Sequence, residues 1–143
     1  MILVDANVLI YAVDADSPHH GASRRWLERT LSTATEVGLP WTVILAFIRI
    51  TTHAAVMRKP LTPEAAVAYV DDWLGQPYVR AVVPGENHWP ILKALLEATG
   101  SAGNLTSDAH LAALALEHGA AVCSTDNDFK RFPGVQHINP VTP

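Results

Sequence analysis

Apolar and polar positions along this chain come in blocks whose lengths predict alternating strands and helices. Met1 to Val4 is a short apolar run, closed by Asp5-Ala6-Asn7 and followed by Val8-Leu9-Ile10-Tyr11-Ala12. That order predicts a buried strand ending at Asp5 and a helix from about Ala6. Asp14, Asp16, Ser17 and Pro18 make a polar turn. Residues 18–34 then read as a helix with Trp26, Leu27 and Leu31 on its apolar side and Arg24, Arg25, Glu28 and Arg29 on the other. Gly38-Leu39-Pro40 reads as a break, and residues 41–57 as a long apolar helix buried on most sides. Val43, Phe47, Ile50 and Ala54 mark one of its faces, and Leu45, Ile48 and Thr52 another. Arg49 and His53 share a surface at i, i+4, where Arg49 is expected to meet an acid or a partner. Thr62-Pro63-Glu64 supplies a hydroxyl cap with proline at the first helical position. The helix it opens, 63–74, turns Ala66, Val67, Val70 and Trp73 inward. Residues 78–83 form a strand stopped by Pro84-Gly85, and residues 87–99 a helix with Trp89, Leu92, Leu95 and Leu96 apolar.

The stretch from Gly103 to Phe129 follows a loop at 100–104. Thr106 and Ser107 are both fit to cap a helix through their hydroxyls. Leu111, Leu114, Ala115 and His118 fall at helical spacing, and Gly119 supplies the stop. Ala120 to Cys123 is long enough for a buried strand, with Asp126 and Asp128 just past its end. Phe129 and Phe132 are expected to cover the core, and Gln136 to Pro140 to form a short last strand. Strand–helix alternation of this kind implies a mainly parallel sheet with helices on both faces, a three-layer α/β/α fold.

Composition narrows the function. The chain has 143 residues, 49% of them hydrophobic, and a mean hydropathy of +0.15, which fits one domain over 1–143. No apolar run approaches the roughly 20 residues that cross a bilayer, and no secretory leader is recognised, so a cytoplasmic setting is expected. The lone Cys123 leaves no intrachain disulfide, in keeping with a reducing compartment. A net charge of −4 is unusual for a nucleic-acid binder, so a polyanion would have to be met by a local patch. Arg24, Arg25, Arg29, Lys130 and Arg131 are the candidates; the run on the second helix also reads as a plain solvated face.

The acids carry the chemistry. Asp5 and Asp126 fall where parallel strands end, the end at which ligands gather in open α/β sheets. Asp108 falls in the first turn of a helix, where the helix dipole favours negative charge. Asp5 also reads as a helix N-cap, with Asn7 placed to hold it. Three carboxylates brought together repel unless a cation neutralises them. An all-oxygen set suits Mg²⁺ or Mn²⁺, and no Cys/His cluster has the spacing zinc requires. Such a site points to metal-assisted hydrolysis of a phosphoester. Other chemistries lack their residues: there is no G-x-S-x-G elbow and no phosphate-binding glycine loop. Asn7 stands where an aspartyl-phosphate enzyme would want a second aspartate. Cys123 reads as core, and His110 as pointing to a different side of its helix from Asp108.

These residues give the chain a family resemblance. Val4-Asp5-Ala6-Asn7-Val8-Leu9, Asn104-Leu105-Thr106-Ser107-Asp108-Ala109-His110-Leu111-Ala112 and Ser124-Thr125-Asp126-Asn127-Asp128-Phe129, in this order and spacing, resemble the PIN-domain ribonucleases. Within them they resemble the VapC toxins of VapBC toxin–antitoxin systems, and Pro40-Trp41 with Ala46-Phe47-Ile48-Arg49 a mycobacterial-type subgroup. The resemblance implies Mg²⁺- or Mn²⁺-dependent endoribonuclease action on RNA, often tRNA or ribosomal RNA, that inhibits translation and leaves a 5′-phosphate. It also implies homodimers, a cognate VapB-type antitoxin and a higher toxin–antitoxin assembly. Carried over by position, Asp5 and Asp108 are the principal metal ligands, Asp126 completes the cluster, and Asp128 contributes from the outer shell. Ser124 or Thr125 is placed to hold a water or phosphate oxygen. One position departs: the family's usual helix glutamate is Ala46 here. Asp128 or Glu28 would have to substitute, unless three aspartates suffice. The alternative reading is a non-catalytic PIN-like module that binds RNA or a protein.

Overall fold

The computed structural model describes residues 1–100 and 102–142; Ser101, within the loop expected at 100–104, and Pro143 lie outside the described residues. The chain runs β1 (Ile2–Val4), α1 (Ala6–Val13), α2 (His20–Leu31), β2 (Val37–Pro40), α3 (Trp41–Thr51), α4 (Pro63–Leu74), β3 (Val79–Val82), α5 (His88–Thr99), α6 (Thr106–His118), β4 (Ala121–Cys123) and β5 (His137–Ile138). Among the described residues the five strands form one sheet in the order β3-β2-β1-β4-β5, every pairing parallel. The expected α/β architecture is the observed one. The sheet grows outward on one side of β1 through β2 and β3, and on the other through β4 and β5. Its order therefore reverses between β1 and β4, and a crevice opens beyond the carboxyl ends of these two strands.

Leu3, Val4, Val122 and Cys123 on these central strands are fully buried. Phe47 from α3 and Phe129, in a short 3₁₀ turn (Asn127–Arg131), fill the core as well, with Phe132 beside them. Helix α6 is buried nearly all round, through Ala109, Leu111, Ala112, Ala113, Leu114 and Ala115, rather than on the single face its spacing marked. It packs on α5, β4 and β1 together, so small alanines are needed where the backbone approaches its neighbours. It ends as expected, with Gly119 in the left-handed conformation at φ 64°. Its start differs. A 3₁₀ turn at Gly103–Leu105 leads directly into the helix, so Thr106 and Ser107 lie inside the first turn and neither side chain caps it.

Other boundaries moved for identifiable reasons. Gly38-Leu39-Pro40 is not a break but most of β2, buried at every position. A strand covered on both faces needs no alternation. Gly38 is present because a Cβ there would sit 2.4 Å from Leu3 Cδ2 and 2.7 Å from Val82 Cγ2. Helix α3 stops at Thr51, not 57: the hydroxyls of Thr51 and Thr52 donate to the carbonyls of Phe47 and Ile48, both at 2.7 Å. The Leu61 amide then donates to the Thr51 carbonyl at 2.8 Å and closes the helix end. His53 thus falls outside the helix. Only the face carrying Val43, Ile44, Phe47 and Thr51 is buried, and Leu45 is 60% exposed. Val67 is exposed rather than inward, and the apolar Trp89 is exposed as well. Helix α2 is shorter than 18–34, since the Ser32 hydroxyl turns back to the Glu28 carbonyl at 2.7 Å.

The closeness of Gly38 to two buried core side chains gives a stability prediction. Gly38→Ala should destabilise the protein by about 1–3 kcal/mol, the usual cost of overpacking, read as a lower urea midpoint with an unchanged slope.

Candidate metal centre

Asp5 leaves β1 at the crevice and heads α1. Its Oδ1 accepts the Ala6 amide at 2.7 Å, so the capping role expected as an alternative is real. Its Oδ2 accepts the Ser124 hydroxyl at 2.8 Å and the Asn7 side-chain amide at 3.3 Å. Asn7 therefore holds Asp5, as its position two residues later predicts. The same Asn7 reaches across to the end of β4: its amide donates to Ser124 Oγ at 3.1 Å, and its carbonyl accepts the Thr125 amide at 3.2 Å. Ser124, fully buried, also accepts the Asp126 amide at 3.0 Å. Its hydroxyl is spent inside the protein, which leaves Thr125 of the two residues considered for an outside oxygen.

Asp108 stands on the first turn of α6, and Asp126 and Asp128 follow β4. One carboxylate oxygen from each lies within 4.8 Å of the others. Asp128, placed in an outer shell by its motif position, is thus in the tight group, and Asp5 sits beside that group rather than within it. Asp126 also caps the 3₁₀ turn, its Oδ1 accepting the Asp128 amide at 2.9 Å. The crowding is electrostatically unfavourable. Burial, then the charges of Asp126, Asp5 and Asp128, push Asp108 up to about 7 from 3.8. Burial also raises Asp5, against the lowering effect of its bonds from Ser124 and Ala6. A partly buried all-carboxylate donor set whose members oppose one another's ionisation is the environment a hard divalent cation relieves.

Asp5 and Asp108 line a cleft of about 430 Å³ whose walls include Ala46, Arg49, His110 and Leu111. The departure at Ala46 therefore falls on the cleft itself, where a methyl group stands in place of a carboxylate. Glu28 cannot replace it: it pairs with Arg24 at 2.8 Å and lines a different groove, between α1, α2 and α4. Arg49 is exposed on the cleft and makes no ion pair among the described residues. His110 is on the cleft wall too, contrary to its expected direction. Its Nδ1 lies 2.9 Å from His88 Nε2, with the rings edge to face. Burial first, and then His88, lower its pKa. His88 lies on α5, and no spacing rule in the sequence connects it with His110.

The arrangement is that of a parallel α/β protein with a carboxylate crevice at the switch point of its sheet. Residues 2–135 match the profile of the PIN domain, and the chain belongs to the PIN-domain family. It is 48% identical over 140 residues to Ribonuclease VapC37 of Mycobacterium tuberculosis, covering 98% of this chain and 97% of that protein. It is 38% identical over 141 residues to Ribonuclease VapC33 of the same species, covering 99% of each. The fold of VapBC2 from Rickettsia felis, solved bound to a DNA fragment from their promoter, superposes with a TM-score of 0.71 at 18% identity, over 97% of this chain and 98% of that one. Mycobacterium tuberculosis VapC20, described as a sarcin-ricin loop cleaving toxin, gives 0.66 at 20% identity, over 95% and 99%. No helix among the described residues is long and apolar enough to cross a membrane.

The raised Asp108 has a measurable consequence. Because its folded-state pKa of about 7 lies above the ordinary 3.8, its stabilising contribution is complete below about pH 4 and is lost as pH rises through about 7. Metal-free protein should therefore gain melting temperature at about pH 8 on Asp108→Asn, with the gain shrinking toward about pH 5. The difference between variant and wild type separates Asp108 from the opposite trend of His110. Mg²⁺ should raise the melting temperature of the wild type at pH 8 and leave that of Asp108→Asn almost unmoved.

Proposed function

We propose that this chain is the toxin of a toxin–antitoxin pair, a divalent-metal-dependent endoribonuclease that hydrolyses RNA phosphodiester bonds and so inhibits translation. The observation that carries the reading is the group of Asp108, Asp126 and Asp128, with Asp5 beside it. Full-length identity to proteins named as ribonucleases supports it. Residues 1–143 are read as one PIN domain, in keeping with the single apolar cluster that joins both sides of the sheet.

Asp108, Asp126 and Asp128 would hold Mg²⁺, or Mn²⁺, and Asp5 would complete the set. Asp5, Asp108 and Asp126 are the proposed catalytic carboxylates. The bound ion would supply charge neutralisation at the phosphate oxygens and a water acidic enough to attack. Ser124 and Asn7 fix the Asp5 carboxylate by hydrogen bonds and so keep one rotamer before substrate arrives. Arg49 lines the cleft, makes no ion pair among the described residues, and would meet the phosphate. Hydrolysis joins a water oxygen to phosphorus and breaks the P–O3′ bond, leaving a 5′-phosphate and a 3′-oxygen that takes up a proton to become a hydroxyl. Transfer RNA or ribosomal RNA is the proposed substrate class, and the cytoplasm the proposed place of action. A VapB-type antitoxin, a homodimer and a larger assembly of the two proteins are proposed because solved neighbours are VapBC complexes. One observation favours a second reading, a non-catalytic RNA- or protein-binding module: the methyl group of Ala46 on the cleft wall.

Incubating antitoxin-free protein with total cellular RNA decides between them. With Mg²⁺ or Mn²⁺, discrete products are expected, absent in EDTA and reduced at least about 100-fold by Asp108→Asn, since even outer-shell losses cost 10–100-fold. No metal-dependent products from folded protein would establish the binding module. Ala46→Glu places a fourth carboxylate on the cleft and should lower the Mg²⁺ concentration at half-maximal activity.

A further inference from the structure

We propose that the cleft between α2 and β5 is an RNA subsite beside the acid centre. In it Arg25, Arg29 and Lys130 hold phosphates, and a base stacks on Trp26. The proposal rests on the ribonuclease reading for the identity of the polyanion. The cleft has a volume of about 580 Å³, and among the described residues no acidic side chain lines it. Its three cations are exposed, and among the described residues the ion pairs, Arg24–Glu28 and Lys93–Glu97, use none of them. Arg25 and Arg29 stand four residues apart on one helix, a spacing at which like charges repel. In a chain of net charge −4 this is a concentration of unpaired positive charge, which a nucleic-acid backbone offsets.

The structure also divides the five basic residues that the sequence grouped. Arg24 pairs with Glu28 and faces the groove between α1, α2 and α4. Arg131 is exposed but does not line the cleft. Three remain, from two segments far apart in the chain, and the half-buried Trp26 lines the same cleft. A base stacked on that ring needs no particular sequence, because every base presents a π-face.

The cleft and the acid centre share one piece of backbone. Lys130 lies two residues after Asp128 in the same 3₁₀ turn. On the cleft floor, His137 Nε2 lies 2.9 Å from the Ser124 carbonyl oxygen. The Asn139 side-chain amide donates to the Thr125 carbonyl at 3.3 Å and to Asn127 Oδ1 at 3.2 Å. The residues that present Asp126 and Asp128 are thus braced from the cleft. A strand seated on the three cations would be registered against the carboxylates.

Binding can be measured without cleavage. In an Asp108→Asn background with Mg²⁺, the anisotropy of a short fluorescein-labelled single-stranded RNA is followed against protein and salt. The triple variant Arg25→Gln/Arg29→Gln/Lys130→Gln should weaken binding at least about tenfold and reduce the log–log salt slope by about 2, near 0.7 per lost phosphate contact. A triple of equal charge change elsewhere, Arg58→Gln/Lys59→Gln/Arg80→Gln, should move affinity less than about twofold. Trp26→Ala should weaken binding about tenfold while Trp26→Phe keeps most of it, with circular dichroism confirming that each variant is folded. Equal losses in the two triples, or a cleft triple that binds like its parent, overturn the proposal. So does a cleft triple that keeps RNA affinity but loses a co-expressed antitoxin, which would make the cleft a protein site. The two readings fail separately. RNA binding by the otherwise unchanged protein without metal-dependent cleavage removes the nuclease alone, and cleavage undiminished in the cleft triple removes the subsite alone.

Discussion

The hydrogen-bonded junction of Asp5, Asn7 and Ser124 is the contact on which the functional end of this molecule depends. It joins the ends of β1 and β4, two strands more than a hundred residues apart in sequence, at the place where the sheet order reverses. Carboxylates do not gather unaided. Each pays in desolvation and mutual repulsion, as the raised pKa of Asp108 records, and an ordered scaffold must hold them. Ser124, fully buried, satisfies Asp5 on one side and the Asp126 backbone on the other. Deleting its hydroxyl would leave a partly buried carboxylate short of a donor, a loss that is costly in a low-dielectric setting.

Around this junction the protein separates its charges. The acids gather at the switch point with Arg49 on the wall of their cleft, while Arg25, Arg29 and Lys130 stand in the neighbouring one, Lys130 and Asp128 divided by a single residue. Opposite charges this close would collapse onto one another if their side chains were free to meet. The 3₁₀ turn, capped by Asp126, turns them to different sides.

Ala46 shows how a fold can be kept while the charge of its site changes. The position is on the wall of the acid cleft, and the buried face of α3 is carried by Val43, Ile44, Phe47 and Thr51. Residue 46 is half-buried at the edge of the core, beside that face rather than at its centre. Asp128 moves the balance the other way, since it stands in the tight carboxylate group and not outside it. The acid count of the centre is set by which side chains reach it.

What the sequence by itself determined was the order and type of the elements other than β2, the parallel sheet, and Asp5, Asp108 and Asp126 at strand ends and a helix start. Each of these is a local matter: apolar runs of strand or helix length, proline at a first turn, glycine at a last one. It missed β2, because a strand buried on both faces has no alternation and its glycine looks like a break until Leu3 and Val82 are seen pressing on it. It gave α3 too much length and too much buried surface, because Thr51 and Thr52 end that helix through hydroxyl bonds that apolar spacing does not encode. The pairing of His110 with His88, the exclusion of Glu28 from the acids and the selection of three cations from five were decided by tertiary structure alone. Coulomb and hydrogen-bond energies depend on distances of a few ångströms between residues far apart in the chain, and only the packed fold sets those distances.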